Sequence, residues 1–263
     1  MRALGSLLLL LLASSVHGQD SVQYLIPVAG NGTAGSNGSL WTTEFTIHNP
    51  RDTELTIIGD VCSGLPFITP PCVPSFALPA GVSRKIDLTP RTASEGVFLY
   101  VPKDVQYGPT PMTLRVRDLT RSAASFGTEI PIVRTTEFAQ VVIITDVPTD
   151  ARHRATLRIY NSNEAPRDVV MRVYTLGGTT PIEERPVHLD GILTLVFDPT
   201  PLHPGYAQVD PLTPAVRAAA ERVRIEIFDP LASILSPPPP PLWALVSITN
   251  NETQQVTTIT PHP

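Results

Sequence analysis

Charge is scarce in this sequence. Asp, Glu, Lys and Arg together make up 16% of the 263 residues, and the formal net charge is −5. A weakly acidic chain with so few cations offers no footprint for nucleic acid, whose binding depends on clustered basic residues. Aromatics are also sparse at 6%, and there are only two cysteines. Beyond Leu12 no stretch approaches the ~20 apolar residues that a membrane-crossing helix needs. What is abundant is apolar and chain-breaking: 42% hydrophobic residues exclude global disorder, and 29 prolines with 16 glycines disfavour long helices.

Motifs that announce chemistry are missing as well. Neither G-x-S-x-G nor S-x-x-K occurs, so no nucleophile elbow or penicillin-recognising serine is written here. His48, His153, His188, His203 and His262 are scattered, without the i, i+4 spacing or neighbouring carboxylates of a metal site. Gly30, Gly32 and Gly35 formally satisfy G-x-G-x-x-G, but no helix follows to hold a pyrophosphate, and the stretch reads as a loop joining two strands. Glu183 and Glu184 are consecutive residues of a turn-like segment. On extended backbone they point to opposite faces, against a shared acid/base role. No catalytic residue, metal or cofactor is therefore expected, and the chain is read as a non-enzyme.

Residues 1–18 combine Arg2, the apolar run Leu7 to Leu12, and small residues around Val16 and Gly18, the pattern of a secretory signal peptide cleaved before Gln19. The mature product is expected to be secreted, periplasmic or extracellular. In that compartment Cys62 and Cys72 are expected to be bridged, closing an eleven-residue loop. Such a crosslink is worth about 3 kcal/mol, enough to pin one connection but not to hold up the whole chain. Between the cysteines, Pro66, Phe67, Ile68 and Thr69 form a stiff, partly apolar segment. It is a candidate binding loop of the kind in which crosslinking reduces the entropy lost on binding. The alternative is a long hairpin tip tied down for stability.

The strongest organisational signal is internal similarity. The alternating segment from Thr43 to Asn49 lines up with that from Ala155 to Asn161, each ending at an Asn before a polar turn and a second alternating segment. The turn glycines Gly81 and Gly191 match, Gly96 to Val101 echoes Gly205 to Val209, and Met112 to Asp118 corresponds to Trp243 to Thr249. On this alignment Val223 to Asp229, and the run Pro237 to Pro241, are an insertion in the second half, the prolines forming an extended loop. Six to eight short β-rich segments per half predict an all-β chain of two tandem antiparallel β-sandwiches, residues 19–133 and 134–263. A single helix is expected from Thr213 to Arg222, with Thr213 as cap and Pro214 at its first position. The junction near residues 131–137 carries no flexible linker, so the halves are expected to hold a fixed or narrowly hinged orientation.

Tyr24-Leu-Ile-Pro27, the Gly/Asn/Ser stretch to Ser39, Leu40-Trp41-Thr-Thr43-Glu44-Phe45 and Asn49-Pro50 give this chain a family resemblance. So do the turn at Leu78–Gly81, the exit from Ser125 to Pro131, and Val246 to Thr253. Together they resemble secreted bacterial proteins built of tandem immunoglobulin-like sandwiches. The resemblance implies the immunoglobulin-like form of the fold and no particular activity. The cysteine loop and the proline run depart from that pattern.

The functional expectation is a secreted or cell-surface interaction protein that takes an unknown protein or glycan partner through loops or sheet edges. One alternative is a surface-assembly subunit or chaperone that uses strand donation, with the apolar Val141–Ile144 as the edge. Another is a hydrolase with a dispersed site. Asn31, Asn37 and Asn251 open N-x-S/T sequons, read as chance in a bacterial-type repeat. Trp41 and Trp243 are read as core residues.

Overall fold

The computed structural model describes residues 21–30, 32–35, 38–59, 75–86, 88, 96–104, 106–121, 126–162, 166–190, 205–232, 235 and 237–261. The expected signal peptide, Cys62 and Cys72, the segment Pro66, Phe67, Ile68 and Thr69, and the sequon residues Asn31 and Asn37 lie outside the described residues.

Alternation of apolar and polar residues writes the strands. In Leu40–His48, Thr43, Phe45 and Ile47 are buried while Glu44, Thr46 and His48 between them are not, the two-residue period of a sheet with one covered face. The first half contains β1 (Ser21–Ile26), β2 (Thr33–Ala34), β3 (Leu40–His48), β4 (Leu55–Ile57), β5 (Phe76–Leu78), β6 (Ser83–Ile86), β7 (Val97–Pro102), β8 (Met112–Asp118), β9 (Thr128–Ile130) and β10 (Val133–Arg134). The second contains β11 (Val141–Pro148), β12 (His153–Asn161), β13 (Arg167–Thr175), β14 (Glu183–Leu189), β15 (Gly205–Val209), the helix α1 (Pro214–Ala219), β16 (Arg222–Phe228), β17 (Leu242–Asn250) and β18 (Val256–Ile259). The chain is all-β, with one short helix among the described residues and antiparallel pairing throughout them.

In the second half the two sheets run β11-β16-β13-β14 and β15-β12-β17-β18. In the first half β10-β1-β7 continues into β4-β5 through an Ile58–Tyr100 bridge, with hydrogen bonds of 3.1 and 2.9 Å. The facing sheet there runs β6-β3-β8-β9, with β2 also on β3. Rank for rank, β1-β7-β4-β5 follows the same order as β11-β16-β13-β14, and β6-β3-β8-β9 the same as β15-β12-β17-β18.

This order corrects two sequence expectations. Gly205–Val209 occupies the place of β6, not of Gly96–Val101, and Val223 to Asp229 is no insertion. As β16 it lies between β11 and β13, with Val223, Ile225 and Ile227 fully buried, and it corresponds to β7. Local similarity misaligned these strands because short alternating segments all look alike; only hydrogen-bond partners distinguish them. The helix is also shorter than expected. Thr213 caps it by accepting from the Val216 amide at 3.4 Å, but it ends at Ala219 because the period-two pattern of β16 begins at Arg222.

Buried residues of these sheets gather in two clusters. Leu157, Ile159 and Val246 meet Met171, Val173, Ile225 and Ile227 in one core. Phe45, Ile47 and Leu114 meet Leu25, Phe98, Leu99 and Leu55 in the other. Full burial of each such side chain stabilises the fold by about 1.5–3 kcal/mol. Tyr160, Trp243 and Leu245, all from the second half, belong to the first half's cluster, so the halves are joined by packed apolar surface. The junction between β10 and β11 is a 3-10 turn, Thr135–Glu137, followed by an Ala139–Leu242 bridge with bonds of 2.8 and 2.7 Å.

Turn chemistry matches the expected positions at several points. Gly81 adopts φ +67°, the left-handed region in which a side chain is strained, and the Val82 amide closes the turn onto the Pro79 carbonyl at 3.2 Å. Pro237 to Pro241 connect β16 to β17 as expected. Prolines cannot donate, but Pro239 and Pro240 accept hydrogen bonds from Gln140 (2.9 Å) and Arg167 (2.7 Å), which anchor the run to the body of the protein.

Candidate functional site

The polar residues singled out in the sequence do not converge. Glu183 and Glu184 open β14 rather than a turn, and they face opposite sides: Glu183 accepts from the Thr213 hydroxyl, while Glu184 pairs outward with Arg172 at 2.6 Å. Contrary to the sequence reading, two histidines do have carboxylate neighbours, His153 with Asp150 (3.0 Å) and His188 with Asp168 (2.7 Å). A local turn from Asp150 to His153 supplies the first contact, and the β13–β14 pairing supplies the second. Among the described residues no group of three or more His, Cys, Asp or Glu is arranged to hold a metal ion. No helix among them is long and apolar enough to cross a membrane.

A different set of residues does converge, on the outer face of β15-β12-β17-β18. Strand β12 turns Arg154, Thr156, Arg158 and Tyr160 to this face, and their partners on β17 are Thr249, Ser247, Leu245 and Trp243. One end of the face is aromatic and sealed against the first half. Tyr160 is fully buried, 5.4 Å from the Tyr206 ring and 5.9 Å from the Trp243 ring, and its hydroxyl donates to the Pro27 carbonyl. Burial pushes the Tyr160 phenol well above its ordinary ionisation range. At the other end the halves diverge and leave a cleft of about 340 Å³, within the range of small-ligand pockets.

Its floor is cationic and hydroxyl-bearing: Arg154, Thr156, Arg158, Ser247 and Thr249. Arg158 donates to the Ser247 hydroxyl at 2.8 Å, and among the described residues its buried Nε has no acceptor. Arg154 donates to Asn251 (3.2 Å) and Gln254 (3.1 Å), side chains held by the turn after β17. There Asn250 accepts from the amides of Glu252 and Thr253, and Gln254 takes φ +58°. Both guanidiniums are thus oriented by neutral groups. Among the described residues neither is paired with a carboxylate, and no Asp or Glu lines the cleft.

The roof comes from the first half: Thr33, Ala34 and Gly35 of the glycine-rich stretch, with Trp41, Val116 and Ile130. That stretch is more ordered than a plain loop, since Thr33–Ala34 pair with Trp41 and Leu40, and the Thr43 amide donates to the Gly30 carbonyl at 2.7 Å. Gly35 permits the arrangement. A Cβ there would lie 2.4 Å from Trp41 Nε1 and 2.4 Å from Ser39 Oγ. Trp243 is buried, as expected of a core residue, but Trp41 is only half-buried and forms a wall of the cleft. Beside the cleft the edges of the two halves meet, the Thr128 hydroxyl of β9 donating to the Val256 carbonyl of β18 at 2.6 Å.

Sequence reasoning missed Arg154, Thr156, Arg158 and Ser247. The alternation Arg-x-Thr-x-Arg-x-Tyr along β12 was a visible signal, because cations and an aromatic share the face opposite the core residues Ala155, Leu157 and Ile159. Nothing in the alternation reveals that a second sheet covers that face. A smaller hollow of about 240 Å³ near Tyr24, Thr110, Arg134 and Glu137 carries both signs of charge, and the Arg134 guanidinium lies 5.8 Å from the Tyr24 ring centroid. Compared with protein-family models, curated proteins and solved structures, the chain gives no match.

Proposed function

We propose that this chain is an exported, non-catalytic interaction protein: two tandem immunoglobulin-like β-sandwiches, residues 19–133 and 134–263, behind a signal peptide at 1–18. It takes a protein or glycan partner in the cleft between the two halves. The observation that carries this reading is the contrast along one sheet face. Tyr160, Trp243 and Leu245 are buried against the first half, while Arg154, Thr156 and Arg158 on the same face line open space. Guanidiniums, hydroxyls and one indole wall supply hydrogen-bond donors and a flat apolar surface, the ingredients of recognition. The parallel strand orders of the halves support the duplicated-sandwich reading.

The test is a binding screen of the folded protein against a glycan array and a panel of envelope proteins, run beside a Thr156→Trp variant. Thr156 lies on the cleft floor, on the face of β12 opposite the core residues Ala155 and Leu157, and an indole there fills the cleft without entering the core beneath. Loss of a wild-type ligand in the variant supports the cleft. Equal binding by both proteins moves the function elsewhere.

A second reading, assembly through strand addition, is favoured by β11. It lies at the end of its sheet, with Val141 46% and Ile143 42% exposed. The register shift between Ile144 and Val147, where Asp146 has φ +66°, kinks that edge. Size-exclusion chromatography separates the two: a monomer at all concentrations counts against assembly.

A further inference from the structure

We propose that the ligand of the cleft is an acidic oligosaccharide, a chain of sugar rings carrying carboxylate or sulfate groups. This rests on the reading of the cleft as the binding site and adds the chemistry of what enters it. Charge is the first argument. The chain as a whole carries −5, yet this cleft presents two guanidiniums and, among the described residues, no carboxylate. Elsewhere several arginines are matched to acids, as in Arg51–Asp104, Arg117–Glu44 and Arg167–Asp229, while Arg217 is matched to backbone carbonyls. Arg154 and Arg158 are instead braced by an amide pair and a hydroxyl, which orient a cation without neutralising it.

Spacing is the second argument. Arg154 and Arg158 are four residues apart on β12, which puts their Cα atoms about 13 Å from each other. That layout suits charges repeated along an oligomer better than a single small anion. The third is the rest of the lining. Thr156, Ser247, Thr249 and Gln208 offer neutral hydroxyl and amide groups that match sugar hydroxyls, and Trp41 offers a flat ring on which a pyranose face stacks. An acidic peptide would be held best by an open strand edge, but beside the cleft the edges β9 and β18 meet each other through the Thr128–Val256 hydrogen bond.

The experiment is isothermal titration of the folded protein with four probes: a galacturonate hexamer, a heparin-derived hexasaccharide, uncharged maltohexaose and hexaglutamate. The expected result is saturable binding of at least one acidic hexasaccharide, about tenfold or more tighter than maltohexaose or hexaglutamate. The two acidic arms tell carboxylate from sulfate. An Arg154→Gln/Arg158→Gln double variant should lose about tenfold or more of that affinity, Trp41→Ala should weaken it too, and Arg134→Gln, remote from the cleft, should leave it unchanged. Thr156→Trp gives the same loss by filling the cleft from its floor, should the double variant fold poorly. The proposal is overturned if neither acidic saccharide binds saturably, if hexaglutamate binds as tightly, or if the folded double variant keeps full affinity. Should the acidic sugars fail while Thr156→Trp still abolishes capture of a neutral glycan or a protein, the sugar class falls and the cleft stands.

Discussion

Tyr160, in the second half of the chain, donates its buried hydroxyl to the carbonyl of Pro27 in the first. That hydrogen bond sits where the aromatic end of the β12 face enters the other half's core, so one side chain serves both the packing and the polar satisfaction of the junction. Tyr160→Phe keeps the ring but leaves the Pro27 carbonyl without this donor, a cost of about 1–3 kcal/mol. Tyr160→Ala also opens a cavity beside Trp243 and costs about 3–5 kcal/mol. Urea denaturation of the three proteins checks the order.

The same residue sets an alkaline limit. Burial raises the Tyr160 pKa above the ordinary 10.0, so the folded chain keeps the proton where the unfolded chain releases it. Its contribution is complete below about pH 10 and is lost as pH rises from there towards the folded value. Thermal melts from pH 9 to pH 11 should show a fall in Tm that is shallower in Tyr160→Phe.

Glu44 acts at the other end of the scale. A hydrogen bond from Lys85 (3.1 Å), aided by Arg117 (2.8 Å), holds its carboxyl below the ordinary value against the opposing effect of burial. A depressed folded pKa contributes stability above the unfolded value of about 4.5 that is lost as pH falls through the folded one. Glu44→Gln should therefore flatten the decline in Tm between about pH 5 and pH 3.

Asn49, at the end of β3, is fully buried and donates through Nδ2 to the carbonyls of Thr53 (2.9 Å), Leu78 (2.9 Å) and Pro79 (3.1 Å) while accepting from the Arg51 amide (3.0 Å). It ties the β3 exit to the turn at Gly81. Asn49→Ala strands several buried carbonyls at once and should destabilise by about 2–3 kcal/mol, read by chemical denaturation.

Arg167 and Asp229, 9% and 6% exposed, form a buried pair at 3.2 Å, and Arg167 also holds the Pro240 carbonyl. Asp229→Ala should cost about 3–5 kcal/mol because it leaves a buried cation, whereas replacing both members with apolar residues should cost less. A double-mutant cycle followed by thermal melting separates the two outcomes.

Gly35 tests the cleft roof. A methyl group would collide with Trp41 Nε1 and Cδ1, at 2.4 and 2.7 Å. Gly35→Ala should displace the indole and change its fluorescence, at a cost in stability of about 1–3 kcal/mol. Trp41→Phe, which leaves the buried Trp243 as the remaining tryptophan, identifies which indole moved.

The sequence made the strands legible because alternation is a local property. Phe45 and Ile47, or Leu157 and Ile159, announce a covered face by spacing alone, and Gly81, Thr213 and the proline run mark their turns by backbone chemistry. The candidate site was far less legible. Trp41 read as core but forms a wall, and Arg154 and Arg158 gave no motif because they are ordinary outward residues of a strand.

What sequence alone determined, then, is that this chain forms short antiparallel strands with one apolar face each, since side-chain alternation follows from the pleat and needs no distant partner. Tertiary structure alone decided which strand lies beside which, so that β16 became a central strand rather than an insertion. It also decided that the aromatic end of β12 is sealed and the cationic end open, because pairing order and the meeting of the two halves depend on contacts between residues more than a hundred positions apart, such as Tyr160 with Pro27.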